Sequence, residues 1–230
     1  MPTLLAFDTS TEACSCAVLQ GSRLEERFEL IPRQHTQRLL PMIHDLLREL
    51  GLGFADLDAV AFGKGPGSFT GLRIAAGVAQ GIAFAADLPV IGVSTLAALA
   101  LEAAESLPTA LVFSCLDARI NEIYCGWYQV QAGLPTLIGH EQLCRPALIQ
   151  AEVPKSEGPI VAAGNGLLFR SQFPAQVSGC FGNALPLLLP RSSYIAKIAS
   201  LMWERREFMA PDSIEPVYLR DKVTQGPKQK

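Results

Sequence analysis

Charge is in short supply. Charged residues make up 18% of the 230-residue chain, against about 25% in an ordinary soluble domain. The formal net charge is −3, which argues against a wide basic face that grips nucleic acid by its phosphates. Long apolar runs are missing too. None reaches the roughly 18 uncharged residues of a membrane-spanning helix, and the longest candidate, Ile74 to Ala86, is broken by Gly77, Gln80 and Gly81. Met1-Pro2-Thr3 has no basic n-region of the kind a secretory signal carries, so no membrane association and a cytoplasmic location are expected. The six cysteines, Cys14, Cys16, Cys115, Cys125, Cys144 and Cys180, include no CxxC. They suggest neither a zinc ribbon nor a redox pair, and read as buried, reduced thiols. What the chain does have is apolar residues, 49% of the total. That excludes disorder and allows one large domain or two small ones, each with a real core. The question is where so much apolar surface goes.

Hydrophobic alternation marks three early strands, Thr3–Phe7 ending at Asp8, Cys14–Leu19 and Leu24–Leu30, as a curled meander. A helix over about 34–50 is closed by Gly51. Its apolar residues, Leu39, Leu40, Met42, Ile43, Leu46, Leu47 and Leu50, cover an arc of roughly 160°, more than the ~100° that lying on one sheet needs. Leu57–Phe62 is the next strand, and a glycine-rich loop leads from it into a helix over about 68–86. That helix is rich in small residues. Gly77 and Gly81 share a face at up to about 1 kcal/mol each relative to Ala, a cost explained by close helix–helix approach or by tight packing on the helix's own sheet. Pro89–Val93 (strand) and Ser94–Ser106 (helix) complete an order that looks like an actin or sugar-kinase lobe, related to the ribonuclease H fold. From Pro108 a second unit starts, with strands Ala110–Cys115, Ile123–Val130 and Pro159–Ala163, irregular segments rich in Pro and Gly, and a helix over Ser192–Arg206. It reads as a divergent second lobe, too short to be complete. The tail to Lys230 ends in polar, basic residues expected to fray.

Several short motifs could carry chemistry. Asp8-Thr9-Ser10-Thr11 suits a phosphate loop whose carboxylate holds a metal through water, or equally a strand-ending turn in which Asp8 and Ser10 bond backbone N–H groups. Gly63–Gly71 could cradle an anion at a helix start. It is not a Walker A motif, and with Gly67 directly before Ser68 it is not a nucleophile elbow. His35 and His44 are nine apart and share no face as an i, i+4 metal pair would; with His140, in a loop-like segment, they read as exposed or interface histidines. Asp117 and Arg119 read as a local ion pair. No catalytic dyad stands out.

Three segments go further: Gly65-Pro66-Gly67-Ser68-Phe69-Thr70-Gly71-Leu72-Arg73-Ile74, Leu116-Asp117-Ala118-Arg119 with Glu122-Ile123-Tyr124, and Pro216-Val217-Tyr218-Leu219-Arg220. With Phe7-Asp8-Thr9-Ser10, they resemble the bacterial TsaB (YeaZ) family over nearly the whole chain. Ile120-Asn121 departs from the basic or small residue with Gly that the family more often carries. The resemblance implies a two-lobe actin-like (ASKHA) α/β fold with a shortened second lobe. The first lobe would span 1–106 and the second 107–230, with a C-terminal helix at about 192–208 packing back on the first.

The resemblance also implies a role. The chain would be a non-catalytic scaffold and activator that binds the catalytic paralogue TsaD, and with it the ATPase TsaE, for threonylcarbamoyl transfer to the tRNA adenosine beside the anticodon. The histidines of a TsaD-type metal pair would fall at Ser94 and Ala98, and neither Ala nor an isolated Ser replaces imidazole. No metal and no catalytic residue is expected. Asp8, Thr9, Ser10, Gly65, Gly67 and Ser68 would be vestigial nucleotide loops, with ATP or ADP weak or regulatory and no cofactor required. In the second lobe Gly164-Asn165-Gly166 is the remnant of an adenosine loop. Partner contact is expected on the two first-lobe helices, through Leu39, Leu40, Met42, Ile43, Leu46 and Leu47 and through Leu72, Ala75, Ala76, Ala79 and Ala83. A homodimer could use the same surface, and tRNA would be met mainly through the complex. The alternative is an independent actin-like ATPase or small-molecule kinase. A peptidase, a third reading, lacks both a metal pair and a nucleophile dyad.

Overall fold

A computed structural model describes residues 2–220 except 151 and 157. The fraying expected of the tail from 221 onwards lies outside the described residues. In the first lobe, β1 (Thr3–Asp8), β2 (Ala13–Gln20), β3 (Arg23–Leu30), β4 (Ala59–Gly65) and β5 (Val90–Ser94) form one sheet in the order β3-β2-β1-β4-β5. The meander strands pair antiparallel, and β1, β4 and β5 run parallel. β1 is central and buried along its whole length, as a strand covered on both faces must be. β3 is one edge, and its Arg-Leu-Glu-Glu-Arg-Phe-Glu-Leu sequence protects that edge with charge.

The second lobe repeats the plan. β6 (Leu111–Arg119), β7 (Glu122–Gln131), β8 (Leu134–Cys144), β9 (Ile160–Ala163) and β10 (Phe181–Leu185) order as β8-β7-β6-β9-β10, with the same parallel and antiparallel pairings. The second sheet thus has five strands, as the first has. The shortening falls on the helices, which are reduced to a 3-10 turn at Asn165–Gln172 and the five-residue α4 (Ala175–Gly179). β8 and β10 occupy segments that read as irregular. Pro135 and Gly139 interrupt the alternation of β8, an edge strand, where Pro is tolerated. Gly182 and Asn183 lower the strand propensity of β10.

Five layers result. α1 (His35–Leu50) and α2 (Phe69–Ala86) cover the outside of the first sheet, in one cluster with Leu5, Phe7, Val60 and Phe62. α3 (Thr95–Ser106) and α5 (Ser192–Glu204) lie between the sheets, packed with Leu4, Ala6 and Ile91 of the first and Val112, Tyr128 and Val161 of the second. The third cluster, around Phe113, Trp127 and Phe181, fills the outside of the second sheet. Helix ends follow local chemistry. Gly51 closes α1 in the left-handed region at φ 70°. The hydroxyls of Ser68 and Ser94 cap α2 and α3, accepting from the N–H groups of Gly71 and Ala97. By length and composition alone, α2 is apolar enough to cross a membrane, a property the sequence reading did not assign to it. One side of it, Leu72, Ala75, Ala76, Ala79, Ile82 and Ala83, belongs to the core.

Candidate functional site

At the end of β1, Asp8 turns inward and is 1% exposed. Its Oδ1 accepts from the backbone N–H of Ser10 at 3.0 Å and from the Ser10 hydroxyl at 2.8 Å. These two bonds close a turn at the end of the strand. Oδ2 is buried and has no hydrogen-bond partner among the described residues. Burial pushes the carboxyl up from 3.8 to about 6, against the pull of the two Ser10 bonds.

The glycine loop after β4 packs directly onto this turn. A Cβ on Gly63 would stand 1.9 Å from Asp8 Oδ2, and one on Gly71 would stand 1.9 Å from the Thr9 carbonyl. The Thr9 hydroxyl donates to the Gly71 carbonyl at 2.7 Å, and the Ser68 N–H donates to the Ser10 carbonyl at 2.7 Å. Asp8, Thr9, Ser10, Gly65, Gly67 and Ser68 are thus brought together, but their polar groups mostly serve one another. The second lobe matches this. Gly164 and Gly166 sit against Cys115 of β6 too closely for any Cβ, and Asn165 Oδ1 accepts from the Asp117 N–H at 2.9 Å.

A cleft of about 870 Å³ opens between the lobes, lined by Ser10, Gly67, Phe69, Asp117, Arg119 and Tyr218 among others. Asp8 does not line it. The donor set therefore does not fit a metal-bound nucleotide held by that carboxylate. Among the described residues no group of three His, Cys, Asp or Glu is placed to hold a metal. Ser94 bonds the Tyr128 hydroxyl at 3.2 Å and also the Glu141 carboxylate, while Ala98 is fully buried.

Sequence expectations fare unevenly around this cleft. The Asp117–Arg119 ion pair forms at 3.3 Å, and Arg119 also pairs with Glu12 across the lobes. His35 is buried, its Nε2 at 3.1 Å from the Ala13 carbonyl, which corrects its reading as an exposed or interface residue. His44 is exposed, and so is His140, which lies in β8 and not in a loop. At the β6–β7 turn, Arg119, Ile120 and Asn121 all have positive φ, 65°, 55° and 54°. A glycine there would relieve the strain of left-handed backbone.

The α1–α2 layer carries the main correction. Leu39, Met42, Ile43, Leu46, Leu47, Leu72, Ala75, Ala76, Ala79 and Ala83 are all buried inside the chain. The wide apolar arc of α1 is taken up by its own lobe, and of the expected contact residues only Leu40 reaches the surface, at 47% exposure. The outward face of α2 is different. Thr70, Gly77, Gly81, Phe84 and Ala85 are exposed, with Ile74 and Val78 half-buried. At 100° per residue they fall within about 120° of arc, opposite the buried side. Phe84 is 80% exposed. Among the described residues a Cβ on Gly77 or Gly81 would meet nothing within 4 Å, so packing on the helix's own sheet does not explain these glycines. Phe84 was missed from sequence because α2 is apolar on both sides, and periodicity does not tell which side faces in.

A family model described as TsaD, tRNA N6-adenosine threonylcarbamoyltransferase, matches residues 29–187. The tRNA threonylcarbamoyladenosine biosynthesis protein TsaB of Escherichia coli is 38% identical over 221 residues, covering 96% of this chain and 95% of that one. The Haemophilus influenzae protein of the same name is 40% identical over 232 residues, with 96% and 95% covered. The solved structure of YeaZ from Pseudomonas aeruginosa is 43% identical, with a TM-score of 0.89, covering 95% of this chain and all of that one.

Proposed function

The chain belongs to the TsaB (YeaZ) family, and from that membership we propose that it is the non-catalytic partner subunit of a tRNA threonylcarbamoyltransferase in the cytoplasm. It has a role in threonylcarbamoyladenosine biosynthesis, as its relatives do. In the proposal it binds TsaD, which carries the chemistry, and through that complex it meets TsaE and tRNA. One observation carries the reading: the outward face of α2 is mostly apolar and rich in small residues, bordered by Arg73 and Gln80, and among the described residues a Cβ on Gly77 or Gly81 would meet nothing within 4 Å. Glycine in a helix interior costs about 1 kcal/mol against alanine. A partner helix that packs closely there would recover that cost, because small residues let two backbones approach. The same face serves a homodimer when TsaD is absent.

Activation follows by linkage. If the active state of TsaD binds this face better than the inactive state, the chain shifts TsaD toward activity. No nucleotide is required of this chain, and any that enters the cleft between the lobes is regulatory. The alternative, an independent actin-like ATPase or kinase, is supported by that cleft, but the enclosed Asp8 and the closed glycine loops weigh against it.

Reconstitution tests the proposal. Threonylcarbamoyl transfer to tRNA is measured with TsaD and TsaE, with and without this chain. The expected result is modification that depends on the chain, with no ATP hydrolysis by the chain alone. Transfer at the same rate in its absence, or rapid ATP turnover by the isolated protein, would overturn it.

A further inference from the structure

The β6–β7 register sets Cys115 opposite Cys125. The β7–β8 register sets Cys125 opposite Gln142, two residues from Cys144. All three side chains turn to the outer face of the second sheet, Cys115 and Cys125 inside the cluster of Phe113 and Trp127, and Cys144 packed against it. All three are free thiols, Cys115 and Cys125 buried and Cys144 half-buried. The partner-binding role uses none of them. The sheet has thus assembled a pair that no CxxC spacing announced.

We propose that Cys144 and Cys125 form a peroxide-responsive dithiol, in which Cys144 is the thiol oxidised first and Cys125 the thiol that resolves it. In the first step the Cys144 thiolate attacks one oxygen of hydrogen peroxide. An S–O bond forms, the O–O bond breaks, and the departing hydroxide takes a proton and leaves as water. Cys144 is then a sulfenic acid. In the second step Cys125 gives up its thiol proton and attacks the Cys144 sulfur. The S–S bond forms, the S–O bond breaks, and the oxygen leaves as a second water. Two thiols and one peroxide give one disulfide and two waters, with the peroxide reduced and both sulfurs oxidised.

The two thiols are not equivalent. Cys144 is half-buried on the edge strand and Cys125 is enclosed; the neighbouring Cys125 thiol holds Cys144 below its ordinary range, while Cys144 and burial push Cys125 up. The half-buried member is therefore the one that forms the thiolate that attacks peroxide. Cys115 is enclosed and pushed well up by burial, so it stands by. Cys180 provides an internal control. It is also half-buried, but its thiol donates to the Val177 carbonyl at 3.0 Å, and burial raises it. The disulfide would tie β8, the edge strand, to β7 three residues from Glu141, the carboxylate that accepts from Tyr128 at 2.5 Å.

The test uses the full chain. Its cysteines are alkylated at pH 7 and, separately, after exposure to hydrogen peroxide, and each site is followed by peptide mass mapping. Cys144 is expected to alkylate about tenfold faster than Cys180, as its thiolate character requires. Peroxide should produce a Cys125–Cys144 crosslink, lighter by two hydrogens and reversed by dithiothreitol. Cys125→Ser should leave a sulfenic acid on Cys144 that dimedone traps, and Cys144→Ser should abolish the crosslink. Alkylation of Cys144 no faster than Cys180, a crosslink between Cys115 and Cys125 instead, or an intramolecular disulfide persisting in Cys144→Ser would each overturn the proposal. The alkylation ratio needs no variant, so a misfolded mutant does not shield the idea.

Discussion

Replacing Gly77 and Gly81 with alanine should make the isolated chain more stable and its complex weaker. Both glycines lie inside α2, and a methyl group at either would meet nothing within 4 Å. The gain is then the difference in helix propensity, about 1 kcal/mol per site. With no shared partner the two add to about 2 kcal/mol. In a chain of this size each kcal/mol moves the midpoint by about 2–4 °C, so the double variant should melt about 4–8 °C higher. In a close helix–helix contact the same methyl groups overpack, at about 1–3 kcal/mol each, and affinity for TsaD should fall at least tenfold. Thermal unfolding followed by circular dichroism, at a concentration where light scattering shows monomers, reads the first effect. Calorimetric titration with TsaD reads the second. An unchanged or lower midpoint would refute the reading of these glycines as exposed helix positions without contacts. A higher midpoint with undiminished affinity would refute the claim that a partner packs there.

Asp8→Asn should raise stability at pH 7. The folded carboxyl titrates at about 6 against 3.8 unfolded, so the folded state holds the proton more tightly; its contribution is fully present below about pH 3.8, falls as pH rises through 6, and leaves a cost of about 3 kcal/mol at neutrality. Wild-type and variant denaturation curves from pH 4 to 7 should diverge by up to that amount, and parallel curves would contradict it. Asn121→Gly should stabilise the β6–β7 turn by about 1 kcal/mol, since the residue sits at φ 54°, and a loss of stability in urea denaturation would count against this. Ile43→Asp should prevent folding, not merely binding, because Ile43 is 0% exposed and an unpaired carboxylate there costs several kcal/mol; a soluble variant with native circular dichroism would refute that.

Much of the fold was legible in the sequence. The first lobe's strands and helices show clear periodicity, and Ser68, Ser94 and Gly51 mark helix ends by their own chemistry. The second lobe was less so, since Pro135, Gly139 and Gly182 obscure β8 and β10, and pairing with β7 and β9 overrides weak local preference. At the candidate site the residues of the turn and glycine loop were identified, but not their mutual closure. That closure depends on backbone approaches such as Gly71 to Thr9, which join segments distant in sequence. The expected contact residues lie, Leu40 apart, on the sides of α1 and α2 that their own lobe buries. An apolar stripe shows that something is buried, without saying whether the chain's own sheet or a partner buries it. Only the exposure of Phe84 and the open space beyond Gly81 separate the two.

The central claim is that the outward face of α2 is where TsaD binds. Gly81→Arg tests it most directly, because the position is exposed with open space beyond it, and arginine is a better helix former than glycine. The variant should fold at least as well as the wild type, fail to co-purify with TsaD, and fail to support threonylcarbamoyl transfer in the reconstituted reaction. A folded Gly81→Arg chain that binds TsaD with wild-type affinity and restores full transfer would contradict the account.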